Sequence, residues 1–195
     1  MPVVFPTPPG LDEGPLGRRL ALIASSPLSG SRGEIAGVPV ERLSYTPPHQ
    51  NWYSTLDALI AGHLLADAKA KSWRYLLCDG DQGGVGELEV ATSQQTGATP
   101  FVAVHEGTAA QLSIDALRFA ETIPDVGHET FEARFLKVSA LDFTALWLHR
   151  DGQDLIVPIT GGGDALETHH VYLEQQVTQA LFPRAQQARD APGAR

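Results

Sequence analysis

The stretch from Asp142 to Glu174 constrains the fold more than any other, because two pleated runs, a tight turn, a glycine triplet and a helix start follow one another without a gap. Phe143, Ala145, Trp147 and His149 alternate with Thr144, Leu146, Leu148 and Arg150. Arg150-Asp151-Gly152-Gln153-Asp154 then turns the chain into Leu155-Ile156-Val157-Pro158-Ile159, so the pattern predicts a β-hairpin with a glycine-bearing loop. Thr160, the triplet Gly161-Gly162-Gly163, and Asp164 with Glu167 three positions on predict a helix N-terminus. Leu166, His170, Leu173, Val177 and Leu181 would share the inner face of that helix, with Pro183 closing it.

Upstream, Ser54 and Asp57 have capping-box spacing, and Leu56, Leu59, Ile60, His63 and Leu64 recur at helical intervals, predicting a helix over residues 55–70. Lys69, Lys71 and Arg74 then fall where positive charge complements the helix dipole. Residues 20–23, 38–45, 73–78, 87–92, 101–105 and 131–138 read as strands, Pro39 marking an edge. A second capping-box spacing at Thr108 opens a helix with Leu112, Ala116, Phe119 and Ala120 on one face, stopped at Pro124.

The resulting order predicts an α+β fold, an antiparallel sheet with helices packed on one face and a C-terminal helix. It also reads as a duplicated strand-helix-strand-strand unit, a likeness of order and not of residues. In element order alone the chain resembles the gyrase-inhibitor-like and SOUL-like ligand-binding folds, and no site residue is carried over on that basis. The proline-rich residues 1–17 read as a flexible arm, residues 18–188 as one domain, and residues 189–195 as a flexible tail.

A net charge of -9 with scattered lysines and arginines disfavours nucleic acid as a partner. No apolar run approaches the ~20 residues of a membrane span, the first residues lack a signal-peptide pattern, and Cys78 is the one cysteine, so a cytoplasmic location is expected. Cys78, ending an apolar run, reads as a small core residue, and no cofactor fingerprint occurs.

Candidate chemistry is sparse. Asp79-Gly-Asp81-Gln-Gly-Gly84 mimics the start of a calcium loop, but Val90 stands where the bidentate carboxylate belongs, so a hairpin connection is the better reading. The glycine triplet lacks the lysine and hydroxyl of a P-loop. Glu167, His170 and Glu174, spaced along one side of the predicted last helix, could hold a metal, giving an alternative reading as a metal-dependent enzyme. A histidine paired to Glu174 explains the same spacing more simply, and His63 reads as a core histidine.

The aromatics point elsewhere. Trp147, His149 and Phe143 share one strand face, and Trp52 and Tyr53 precede the first strong helix, so these five residues could line a groove between sheet and helices. The expected function is therefore non-enzymatic binding of a small molecule or protein partner through that groove. A structural or assembly role is a further alternative, with a homo-oligomer as one state that the terminal arms and long last helix allow.

Overall fold

A computed structural model describes residues 3–4, 34–80, 83–91, 102–124 and 130–191. Within them the strands are β1 (Val3–Val4), β2 (Glu34–Ile35), β3 (Val38–Pro39), β4 (Leu43–Tyr45), β5 (His49–Tyr53), β6 (Lys69–Asp79), β7 (Gly84–Ala91), β8 (Val102–Glu106), β9 (Phe131–Val138), β10 (Phe143–Arg150) and β11 (Gln153–Thr160). The helices are α1 (Leu56–Ala61), α2 (Thr108–Glu121) and α3 (Glu174–Asp190). The expected strand at residues 20–23, and Asp81 of the calcium-like loop, lie outside the described residues.

The chain forms two compact units, and neither is continuous in sequence. One comprises residues 1–5, 49–72 and 115–195, the other residues 6–48 and 73–114, and two of the boundaries fall inside β6 and α2. The fold is α+β, with a C-terminal helix.

In the first unit the strand order is β11-β10-β9-β5. Both hairpin pairings, β11 on β10 and β10 on β9, are antiparallel, whereas β5 runs parallel to β9. The expected antiparallel sheet is therefore corrected to a mixed one. The physical reason is the connection: residues 54–130 separate β5 from β9, ample length for the crossover that a parallel neighbour requires. Of the segment expected to be an arm, Val3–Val4 also pairs in parallel with β9, opposite Phe131 and Glu132.

One face of this sheet buries Leu136, Val138, Phe143, Ala145, Trp147 and Ile156 against Leu59 of α1 and Val177, Leu181 and Ala185 of α3. Each fully buried Leu or Phe contributes about 1.5–3 kcal/mol. The i, i+4, i+8 spacing of Val177, Leu181 and Ala185 explains why α3 continues past Pro183, which sits exposed inside the helix and does not end it as expected.

The first strong helix is shorter than its pattern suggests. Thr55, not Ser54, caps α1 by accepting from the Ala58 amide at 3.1 Å, and Gly62 at φ +80° ends it after Ala61. Leu64 and Leu65 are still buried, carried inward by a turn and not by further helix. Lys69, Lys71 and Arg74 consequently belong to β6, not to a helix terminus.

In the second unit β6, β7 and β8 are neighbours in that order, with β4 antiparallel to β6 and β8 antiparallel to β7. The expected strand over residues 38–45 is broken by a 3-10 turn at Val40–Arg42. β2 and β3 form a hairpin whose two turn residues, Ala36 and Gly37, both take positive φ, the conformation that twists with the strands. Ile35, Trp73, Tyr75, Leu77, Leu88 and Val90 form this unit's apolar cluster.

Candidate functional site

Strand register assembles the most elaborate polar cluster of the first unit. The β9–β10 pairing sets Glu132 opposite His149 and Arg134 opposite Trp147, and the β10–β11 hairpin sets Asp154 opposite His149. Residues opposite one another in a ladder share a face, so all five side chains rise from the same side of the sheet. Parallel β5 places Trp52 beside Leu136, two residues along from Arg134 and on that same side.

The side chains lock together. The Trp52 and Trp147 rings meet edge to face at 5.4 Å, and Trp147 meets the His149 ring at the same separation. The Arg134 guanidinium lies 4.6 Å from the Trp52 ring centroid and 4.7 Å from that of Trp147, a double cation–π contact. Its Nε and Nη2 donate to the two oxygens of Glu132 at 2.8 and 2.9 Å, the bidentate fork that fits a carboxylate. Asp154 Oδ1 accepts from Trp147 Nε1 at 2.7 Å and meets His149 Nδ1 at 2.7 Å. An ionised carboxylate only accepts, so Nδ1 carries the hydrogen of that contact and Nε2 is turned away from Asp154.

Exposure grades across the cluster. Trp147 is buried and Arg134 nearly so, while Glu132, His149 and Asp154 keep 30%, 29% and 33% of their side chains open to solvent. The result is an aromatic floor with a polar rim whose members are held in place by one another.

Of the five aromatic-groove residues expected from sequence, three come together: Trp52, Trp147 and His149. Phe143 stands on the same face but opposite Val138, fully buried in the apolar cluster. Tyr53 follows Trp52 and so points to the other face, where the Lys71 and Lys137 ammonium groups lie 5.1 and 5.8 Å from its ring centroid.

The metal alternative loses its premise. Glu167 and His170 precede α3: after a 3-10 turn at Gly163–Ala165 the chain turns again at Thr168–His169, His169 taking a φ of +55°, and Tyr172 forms a β-bridge with Ile156. The glycines and the bridge hold the chain out of helical geometry until Glu174, so Glu167, His170 and Glu174 do not share a helix face. Glu174 accepts from the Leu65 amide at 2.8 Å, His170 stacks on Tyr172 at 4.6 Å, and the Tyr172 hydroxyl accepts from the Glu167 amide. Among the described residues no group of three or more His, Cys, Asp or Glu side chains is placed to hold a metal ion.

The remaining candidates have structural partners. Asp79 accepts two hydrogen bonds from Arg42, at 2.9 and 3.1 Å. His63 is exposed, 3.8 Å from Asp67, and not in the core. Arg184 donates to the carbonyls of Gly161 and Leu141, tying the glycine connection to α3. Cys78 is half-buried.

Sequence reasoning missed Glu132, Arg134 and Asp154. Asp154 was within reach: a two-residue turn at Asp151-Gly152 pairs Arg150 with Gln153 and hence His149 with Asp154. Glu132 and Arg134 required knowing which strand lies beside β10. A second omission lies in the other unit, where Arg74, almost wholly buried, donates to Glu87 and, at 2.7 Å, to Ser113 Oγ.

Compared with protein-family models, curated proteins and solved structures, the chain matches none. Among the described residues no helix is long and apolar enough to cross a membrane.

Proposed function

We propose that the chain is a non-enzymatic binding protein whose ligand, a small molecule or a segment of a protein partner, contacts the Trp52–Arg134–Trp147–His149 face of the first unit. One observation carries the reading. On a face otherwise given over to apolar packing, Glu132, His149 and Asp154 remain about one-third open yet are fixed by Arg134 and Trp147. Polar groups held on rigid strands over an aromatic base recognise a ligand without the ordering cost that freely rotating side chains carry.

A thermal-shift fragment screen on the wild type, Arg134→Met and His149→Ala tests this. Fragments that stabilise the wild type and lose their effect in both variants are the expected outcome. Fragments that stabilise all three equally place the ligand elsewhere and overturn the proposal, and a wild type that no fragment stabilises overturns its small-molecule form.

A further inference from the structure

An account of hydrogen-bonding capacity narrows the ligand class. Both oxygens of Glu132 are engaged by Arg134, and Asp154 Oδ1 is shared by two donors. Asp154 Oδ2 and His149 Nε2 accept from no described group but lie at the open rim, where water serves them; the unmet group shut away from water is a donor. Among the described residues Trp52 Nε1 is shielded from solvent and has no acceptor, and Arg134 Nη1, on the guanidinium stacked over that same ring, donates to nothing. A sequestered N–H without a partner has lost its hydration with nothing in return, a cost that an incoming acceptor would recover.

Resting on the binding reading above, we propose that the site takes a ligand presenting an acceptor oxygen, a carbonyl or a carboxylate, with Arg134 and Trp52 as the residues that recognise it. Arg134 meets the oxygen first, since its guanidinium covers the Trp52 ring, and Trp52 Nε1 supplies the second donor. A cationic ligand is the opposing class. The formal charge of Glu132, Arg134 and Asp154 sums to one negative charge, which attracts a cation. Arg134, however, already occupies the cation–π position between the two tryptophans and would have to be expelled.

The test uses the full chain, labelled with nitrogen-15 and titrated separately with benzoate, N,N-dimethylbenzamide and benzylamine, reading the indole N–H resonances. The expected result is a downfield shift of the Trp52 indole proton with benzoate or dimethylbenzamide and none with benzylamine. Arg134→Met should weaken that response by about tenfold or more. Trp52→Phe, which removes the donor but keeps an aromatic ring, should weaken it as well, read at the backbone amides of residues 132–134. A response to benzylamine alone keeps the binding face and overturns the acceptor-oxygen class. Acceptor binding that Arg134→Met and Trp52→Phe leave unchanged overturns the residue assignment. No response at Trp52 to benzoate or dimethylbenzamide overturns the acceptor-oxygen class, and if none of the three probes shifts the amides of residues 132–134 and 147–154 either, the small-molecule form of the binding reading falls with it.

Discussion

Arg74 gives the sharpest test of the forces inside the second unit. Its side chain is 2% exposed, and that of Glu87 beside it 9%. Nη2 donates to Glu87 and to Ser113 Oγ, while Ser113 passes its own hydrogen to the Ala109 carbonyl at 2.7 Å. Replacing Arg74 by Met fills much the same volume but strands a buried carboxylate, a defect worth about 3–5 kcal/mol. Against a total stability of about 5–15 kcal/mol, that is a loss of a third or more in most of the range. Glu87→Leu should cost a similar amount by leaving the guanidinium uncompensated. The double variant, Arg74→Met with Glu87→Leu, removes both desolvated charges and should lie within about 1 kcal/mol of the wild type. Urea denaturation followed by circular dichroism measures all four corners of the cycle. Single variants that each cost less than about 1 kcal/mol, or a double variant as unstable as the two losses added, would refute the account of a mutually dependent buried pair.

Two backbone positions carry further expectations. A Cβ on Gly161, whose φ is +75°, would lie 2.4 Å from the Asp142 carbonyl oxygen, so Gly161→Ala should lose about 1–3 kcal/mol from backbone strain and more from the clash; an unchanged melting temperature would count against it. Thr55→Ala removes the side-chain cap of α1 and should cost about 1 kcal/mol, with Thr55→Ser close to neutral, both read from denaturation midpoints.

How far the sequence reveals this fold depends on whether the deciding interaction is local. The hairpin of β10 and β11 is local: alternation on one strand and a glycine-bearing turn specify it, and the structure has it there, with the turn tightened to two residues so that β11 begins at Gln153 and not at the expected Leu155. The first helix shows how a real signal can mislead. Leu56, Leu59, Ile60, Leu64 and Leu65 are apolar because they are buried or half-buried, but Gly62 in the left-handed region ends the helix between them. Hydrophobic spacing reports burial, and a turn can bury two leucines as well as a helix can. Arg74 is the converse case, a charge read as complementing a helix dipole because nothing nearby in sequence shows its partners, thirteen and thirty-nine positions away. The candidate site divides the same way. Trp147 and His149 were legible on one strand, whereas Arg134 enters only when β9 docks beside β10.

That dependence on register has a consequence of its own. In β11 the run Leu155 to Ile159 is buried at every position, so its apolar pattern fits either face of the sheet and does not by itself resist a one-residue slip. Three other features set the register: the Asp151-Gly152 turn, with Gly152 at φ +80°; the acceptor role of Asp154 toward Trp147 and His149; and the paired backbone bonds between Ile156 and Tyr172, at 2.8 and 2.9 Å. Of these, only the Asp154 contacts belong to the candidate site, so the groups proposed to bind a ligand also align the hairpin beneath them. A variant combining Gly152→Val with Asp154→Leu removes the first two and leaves the Tyr172 bridge alone. It should show a second set of amide resonances for residues 143–160, as β11 samples a slipped pairing. One set of resonances, with residue 154 still opposite His149 by nuclear Overhauser contacts, would mean that packing and the Tyr172 bridge hold the register without the polar cluster.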